Sequence, residues 1–361
     1  MEHYYAMLLA GGGGTRLWPL SRKDTPKQLL PLIEQHSMFR ASVERLQPLF
    51  PPERIFVVTG RKFADVMRAD VPEIPAGNFI LEPYGRDNFA AVALGISVIH
   101  HRDPQATIAI LTTDHHIGRP DVFRDVLGAA YEIAQEDRIV TLGISPSFPA
   151  TGFGYIRRGA RLKEVGGFIS YNAQEFTEKP NVITATAFLA SGKYSWNSGM
   201  FIWKASTANE EFERQQPDTW EVFSQLAEFI DTPQFETQLE ASWGKLPKNT
   251  IDFAIMEKAK NMAVIPVDIG WSDVGSWASL YDIMEKDKFG NSFGGNGDNH
   301  HVVLNTHNTL VFSERLIVTI GVENLVVVDT DDALLICRRD EAQDVRDVVK
   351  YLHETGQDRY L

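Results

Sequence analysis

The residues best suited to chemistry stand near the start of the chain. Leu9-Ala10-Gly11-Gly12-Gly13-Gly14-Thr15-Arg16-Leu17-Trp18-Pro19-Leu20-Ser21-Arg22 runs an apolar stretch into consecutive glycines, and Pro26-Lys27-Gln28 follows. Glycine has no Cβ to restrict φ or block approach, so backbone N–H groups along Gly11–Thr15 can turn toward one point. Arg16 and Lys27 add positive charge beside that cradle, and together they suit a triphosphate. Other phosphate loops do not fit. The dinucleotide fingerprint needs a glycine where Arg16 stands, and the P-loop needs Gly-Lys-Ser/Thr after its gap. A Gly-rich turn without function is the competing reading, and Arg16, Pro26 and Lys27 at this spacing weigh against it.

Asp114, in Leu111-Thr112-Thr113-Asp114-His115-His116, ends an apolar run expected to lie mid-sheet. A hard carboxylate oxygen there suits Mg²⁺, which also bridges phosphate oxygens. The paired histidines invite a zinc site, but no second carboxylate or histidine follows at helical spacing. Glu82-Pro83-Tyr84-Gly85-Arg86-Asp87-Asn88 closes another apolar run, and Asp87 or Asn88 could simply cap the next helix. Glu178-Lys179 is, by residue type, an ordinary solvated ion pair. Asp273, in Gly270-Trp271-Ser272-Asp273-Val274-Gly275-Ser276-Trp277, reads by type as a turn aspartate.

The elements that must carry these residues alternate. Tyr5–Ala10, Arg54–Thr59, Phe79–Glu82, Thr107–Thr113 and Ile139–Ile144 read as strands. Met38–Leu49, Lys62–Val71, Asn88–His101 and Val122–Gln135 have helical spacing. The implied fold is α/β: a Rossmann-like, mostly parallel sheet with helices on both faces. Ligands of such sheets sit beyond the carboxyl ends of the strands, where Gly11–Arg16, Glu82-Pro83 and Thr112–Asp114 fall. A strand near Asn197–Trp203 and helices at Thr207–Leu226 and Thr250–Asn261 continue the domain. Character changes after Lys288. Residues 1–288 read as the catalytic domain and 289–361 as a small C-terminal β domain. There Gly290–Gly297 reads as a loop. The short strands His301–Leu304, Thr309–Phe312, Leu316–Ile320, Leu325–Val328 and Leu334–Cys337 suggest a β-helix fragment or compact sandwich, and Asp340–Glu354 closes the chain as a helix. No strict hexapeptide repeat is visible.

The chain has 361 residues and a formal charge of −13, which weighs against a nucleic-acid backbone partner. The single cysteine, Cys337, sits in an apolar run, excludes an internal disulfide and reads as a buried thiol. No secretory start and no apolar run of membrane-spanning length are visible, so a cytoplasmic protein is expected.

The stretch from Leu9 to Gln28 resembles the signature of sugar-1-phosphate nucleotidyltransferases, in the form Thr-Arg-Leu-Trp-Pro-Leu-Ser-Arg with Pro-Lys-Gln of the bacterial mannose-1-phosphate guanylyltransferase branch. Four further segments are similar in the same order. Glu82–Asn88 resembles the family's Glu-Pro-x-x-Arg-(Asn/Asp), with Asn88-Phe89-Ala90-Ala91 where Thr-Ala-Pro-Ala is common. Thr113-Asp114-His115 resembles its (Ser/Ala)-Asp-His. Phe176–Pro180 resembles Phe-x-Glu-Lys-Pro, with Gly152–Ile156 and Asn197–Phe201 as the accompanying sugar loops. Trp271–Trp277 resembles Trp-x-Asp-(Val/Ile)-Gly-x-Trp.

The resemblance implies a division of labour. Leu9, Gly11, Gly12, Gly13, Gly14, Thr15, Glu82, Pro83, Arg86, Asp87, Asn88 and Asp114 would bind the nucleotide. Arg16, Lys27 and Lys179 would be catalytic, and Asp114 and Asp273 would hold Mg²⁺. Gly154, Glu178, Lys179 and Asn197 would bind the sugar phosphate. Ile251–Glu257 also looks familial, but its spacing is accounted for by helix packing. The expected reaction joins mannose-1-phosphate to GTP, giving GDP-mannose and pyrophosphate. The expected form is the short, single-activity one, with a possible homodimer through the C-terminal domain. The alternatives are another sugar-1-phosphate/NTP pair such as glucose-1-phosphate with UTP or dTTP, a metal-dependent glycosyltransferase, and a non-catalytic sugar-nucleotide sensor. Asp329-Thr330-Asp331 has the glycosyltransferase spelling but reads as a turn.

Overall fold

The computed structural model describes residues 1–12, 15–295 and 301–361. Its main sheet has the strand order Phe79–Glu82, Ile55–Gly60, Tyr4–Leu9, Thr107–Thr112, Tyr194–Lys204, Ile139–Ile144, Met262–Pro266, Phe168–Thr177, Tyr155–Val165. Only Phe168–Thr177 and Tyr194–Lys204 run against the others, so the mostly parallel sheet is as expected.

Side chains alternate across each strand, so the first strand faces two layers. Tyr4 packs its ring on Phe50 and Tyr131 and donates its hydroxyl to the Leu127 carbonyl at 2.9 Å, on the Pro120–Ala134 helix. Met7 points the other way, onto the Asp87–Arg102 helix. There a Cβ on Gly95 would fall 2.1 Å from the Met7 sulfur, so only glycine allows this approach. That helix is buried along almost its whole middle, from Phe89 to Ile99, which explains its near-continuous apolar sequence.

Several elements differ from the sequence pattern for identifiable reasons. The helix beginning at Met38 stops at Glu44, ahead of Pro48. Thr207–Leu226 is two helices, Ala205–Gln215 and Pro217–Ala227, because Pro217 lacks an N–H and starts a new helix. The segment from Thr250 is one short turn, Ile251–Ala254, followed by the 3-10 turn Met256–Lys258. The hairpin Tyr155–Val165 and Phe168–Thr177 gives little apolar alternation, since few of its side chains are buried. Part of the expected loop is a strand, Ser292–Gly294, while Asn296 and Gly297 lie outside the described residues. Among the described residues no helix is long and apolar enough to cross a membrane.

The tail is β-helix-like rather than a sandwich. Leu310–Phe312 lies parallel between Ser292–Gly294 and Leu325–Asp329, and His301–Leu304 lies parallel to Ile317–Ile320. One offset recurs: Leu310 pairs with Val326, His301 with Ile317, and the left-handed turn positions Asn305 and Asn308 return as Gly321 and Asn324. Leu334–Arg338 adds antiparallel, and the chain ends in the helix Val345–Glu354. Cys337 is half-buried, and that burial pushes its thiol pKa up. Asp329 is buried at a strand end, where Arg315 grips both its oxygens at 2.5 Å; its role is structural.

Packing divides the chain into two compact units. One comprises Met1–Gly11, Val43–Thr112 and Ile117–Trp271; the other comprises Gly12–Ser42, Thr113–His116 and Ser272–Leu361. The second unit has its own core, in which Leu17, Trp18, Leu30, Val274 and Trp277 are packed with Leu310, Phe312, Val326, Val328, Leu335 and Val345. Trp277 donates its indole N–H to the Trp18 carbonyl at 2.9 Å, and Trp18 donates its own to the Tyr360 carbonyl at 2.7 Å. The change of chain character near Lys288 is therefore not an edge of this core. Phe312→Ala, a cavity in the tail, should cost about 3–5 kcal/mol and lower the urea midpoint. Because the core is shared, the transfer rate at a fixed temperature should fall with it. An unchanged midpoint would show that the tail packs independently.

Candidate active site

In the second unit Thr15, Arg16, Lys27, Asp114, His115, Asp273, Val274 and Gly275 line one cavity of about 310 Å³. Residues from distant parts of the chain meet there because Lys27 is buried and bridges them. Its ammonium donates to Asp114 Oδ2 at 3.1 Å and to the Asp273 carbonyl at 2.5 Å. Arg16 is exposed at this cavity and makes no hydrogen bond or ion pair among the described residues. Gly12 takes φ +104°, open to glycine, while Gly13 and Gly14 lie outside the described residues.

The loop that presents Asp273 is tightly built. Val274 is fully buried with φ +45°, a strained conformation for a β-branched residue. A Cβ on Gly275 would fall 2.4 Å from Asp273 Oδ2, so glycine is required for that carboxylate to sit where it does. Ser276 then starts the Trp277–Ile283 helix with a reciprocal capping box to Ser279. Asp114 is 39% exposed by side chain. The protein atoms crowding it favour its neutral form, but the charges of Lys27 and His115 outweigh them and hold its pKa below the ordinary value. The cavity thus holds an ionised carboxylate, a second carboxylate and the Arg16 guanidinium. Among the described residues no group of three histidine, cysteine, aspartate or glutamate side chains is placed to hold a metal ion.

In the first unit Glu82 ends its strand buried, with Oε1 unpartnered and Oε2 3.8 Å from where a Gly11 Cβ would stand. Burial raises its pKa to about 7. Pro83 follows half-buried. Arg86 is turned onto backbone: it donates to the carbonyls of Leu246 and Gly244 and lies over the Tyr84 ring. Asp87 takes φ +56° at the helix start, and Asn88 accepts the Ile251 N–H at 2.8 Å. Arg86 and Asn88 therefore hold protein segments together.

The same unit gathers Gly154, Glu178, Lys179 and Asn197. Lys179, at φ +46°, pairs with Glu178 Oε1 at 2.7 Å, and its side chain is otherwise half exposed. Glu178 Oε2 is buried without a partner; a Cβ on Gly154 would fall 2.4 Å from it. Asn197 Oδ1 accepts from the Gly199 N–H at 3.1 Å and the Thr141 hydroxyl at 3.4 Å, and its N–H donates to Asp252 Oδ1 at 3.0 Å. Phe153 meets Trp196 and Trp271 edge to face at 5.1 and 5.3 Å, forming an aromatic wall. Sequence pattern missed Asp252 and Glu257, whose Oε1 accepts the Glu178 N–H. Burial, then the Glu178 charge, raises the Asp252 pKa to about 7. The resemblance of Ile251–Glu257 to the family was the one signal that could have found them.

A buried lysine that bridges two aspartate loops in a cavity shared with Arg16 is an arrangement suited to nucleotidyl transfer. Residues 5–289 match the nucleotidyl transferase family, and residues 299–352 match the MannoseP isomerase/GMP-like beta-helix domain. Mannose-1-phosphate guanylyltransferase 2 of Escherichia coli O157:H7 is 38% identical over 99% of this chain and 75% of its own length. The xanthan biosynthesis protein XanB of Xanthomonas campestris pv. campestris (strain B100) is 37% identical over 99% of this chain and 74% of its own. A crystal structure from Thermus thermophilus, described as mannose-1-phosphate geranyltransferase, superposes with a TM-score of 0.86 at 36% identity, covering 97% of this chain and 99% of that one. The chain belongs to the mannose-1-phosphate guanylyltransferase family and is an enzyme of nucleotidyl transfer.

Glu82 makes the fold pH-dependent. Folded, it keeps its proton to about pH 7; unfolded, it releases it near the ordinary 4.5. The folded state binds more protons between those values, so this group's contribution to stability falls as pH rises through that window. Glu82→Gln should gain in Tm over wild type at about pH 8 and little at about pH 5. Thermal melts at both pH values check this, and an equal difference at both would remove Glu82 as the source.

Proposed function

We propose that the chain, with residues 1–288 as its catalytic domain, acts in the cytoplasm to join mannose-1-phosphate and GTP into GDP-mannose and pyrophosphate. An oxygen of the sugar phosphate attacks the α-phosphorus in line; one P–O bond forms as the bond to the β-phosphate bridge breaks. That oxygen is already anionic near neutral pH, so no general base is needed. The names of the relatives support the substrates, and the meeting of Arg16, Lys27, Asp114 and Asp273 in one cavity carries the chemistry.

Each residue's part follows from its surroundings. Arg16, exposed and uncommitted among the described residues, offsets charge on the departing pyrophosphate. Lys27 holds the loops of Asp114 and Asp273 in register and adds positive potential near the reacting phosphorus. The two carboxylates are hard oxygen donors lining one cavity, a donor set that fits Mg²⁺, and they would hold it. The ion would supply Lewis-acid neutralisation of phosphate charge. Glu82 and the backbone from Leu9 to Thr15 receive the nucleotide. Pro83, Arg86, Asp87 and Asn88 support that segment. Lys179 takes the phosphate of the sugar phosphate, and Gly154, Glu178 and Asn197 take its ring.

The tail offers Val302, Leu304, Val318 and Ile320 to solvent from one pair of strands. Such a contiguous apolar face supports self-association of the tail into a homodimer. Light scattering should then give a dimer for wild type and a monomer for Val318→Lys with Ile320→Lys; a monomeric wild type would end this part.

The transfer itself is tested by pyrophosphate release from GTP and mannose-1-phosphate with and without Mg²⁺, against other nucleotides and sugar phosphates. Asp114→Asn and Lys179→Ala should each lower the rate by on the order of 10²–10³ while circular dichroism stays unchanged. Near-wild-type turnover in either variant would overturn the assignment, and preference for another pair would move the substrate.

A further inference from the structure

Asp252 stands beside the Glu178–Lys179–Asn197 group and has no part in the transfer as described. Its place is built from several directions. Asn88 accepts the Ile251 N–H and so sets the turn that carries Asp252, and Asn197 donates to Asp252 Oδ1 at 3.0 Å. Asn197 is the only side chain among the described residues that donates to it. The carboxyl also accepts from its own backbone N–H, and its remaining lone pairs can take a further donor.

Acceptors outnumber donors around this point. Glu178 has one oxygen on Lys179 and the other buried without a partner, and Glu257 takes the Glu178 N–H. Asn197 Oδ1 is already filled. A phosphate would be repelled by these carboxylates, whereas a polyol brings the O–H donors that are missing. Phe153, Trp196 and Trp271 meet edge to face and give an apolar wall of the kind suited to the C–H face of a hexose. An acceptor meant only to orient Asn197 could be neutral; a carboxylate held near Glu178 carries a cost that a ligand hydroxyl offsets.

We propose that Asp252 is a specificity-determining residue that accepts a hydrogen bond from a ring hydroxyl of the sugar phosphate, alongside Glu178. The inference rests on the reading that Glu178, Lys179 and Asn197 hold the sugar. Its protonation follows the groups facing it. Burial and Glu178 raise its pKa to about 7, and its own backbone N–H, Lys179 and the Asn197 amide oppose them. A sugar hydroxyl favours the ionised form.

The experiment is steady-state pyrophosphate release by the whole protein and by Asp252→Asn, varying each substrate in turn. Asp252→Asn should raise KM for mannose-1-phosphate about 10- to 100-fold and leave KM for GTP within about twofold. In wild type kcat/KM for the sugar phosphate should fall as pH drops through about 7. The variant should lose that step and keep only the one from the phosphate itself, near about pH 6. Deoxy-mannose-1-phosphates complete the test: one should penalise wild type but not the variant, identifying the hydroxyl by a cycle. Equal increases in both KM values with a lowered Tm would assign Asp252 a structural role and overturn the proposal. If Glu178→Gln leaves the sugar KM unchanged, the sugar-site reading fails and the inference falls with it. Should wild type use a different hexose-1-phosphate, the substrate identity falls and Asp252 is tested in the same way on that sugar.

Discussion

The buried ammonium of Lys27 is the constraint on which the catalytic cavity depends. A lysine side chain only 7% exposed is costly unless paired, and its partners are Asp114 and the Asp273 backbone. Pairing therefore fixes the Pro26-Lys27 turn, the Thr113–His116 loop and the Ser272–Gly275 loop relative to one another. Each contact offsets part of the cost of burying that charge, so the three loops help to position one another. The strain at Val274 fits that picture, since its left-handed backbone is held by complete burial of its side chain.

The tail has a physical purpose in this arrangement. Loops cannot make a core of their own, and Leu17, Trp18, Val274 and Trp277 need apolar neighbours to remain buried. Leu310, Phe312, Val326 and Val328 of the β coil provide them. The tryptophan relay from Trp277 to Trp18 to Tyr360, with Arg22 reaching Asp332 at 2.7 Å, adds polar bonds within the same unit. A segment that looks like an appendage in composition is thus part of the foundation under the cavity.

Local chemistry was readable in the chain, and long-range packing was not. Gly11–Gly14 and Lys27 stand out by type and spacing, Asp114 by its place at the end of an apolar run, and Asp273 only by its resemblance to the family's motif. The strands around them follow from apolar runs bounded by turns. The sharing of a core between Leu17 and Phe312 leaves no mark on either segment's pattern, so the tail read as separate. The resemblance assigned Arg86 and Asn88 to the nucleotide; their bonds to Leu246, Gly244 and Ile251 give them a part in joining protein segments that the sequence pattern did not show. Asp252 was hidden for the opposite reason. Its spacing is that of a packing turn, and what sets it apart is the environment made by Glu178 and Asn197, residues far away in sequence.

Carboxyl environments explain how a chain of charge −13 can handle anions. Asp114, beside Lys27 and His115, is held ionised and can serve a cation. Glu82 and Asp252 have pKa values near 7, so part of their negative charge is absent at neutral pH. A protonated carboxyl can also donate a hydrogen bond, which an ionised one cannot. The acidic residues are thereby sorted by surroundings rather than by number. Full charge stands at Asp114, where a lysine compensates it, and partial charge at the buried Glu82 and Asp252. On the proposed function, uniformly ionised carboxylates at those positions would repel the phosphates of both substrates, and uniformly neutral ones would leave no ligand for the divalent ion proposed there.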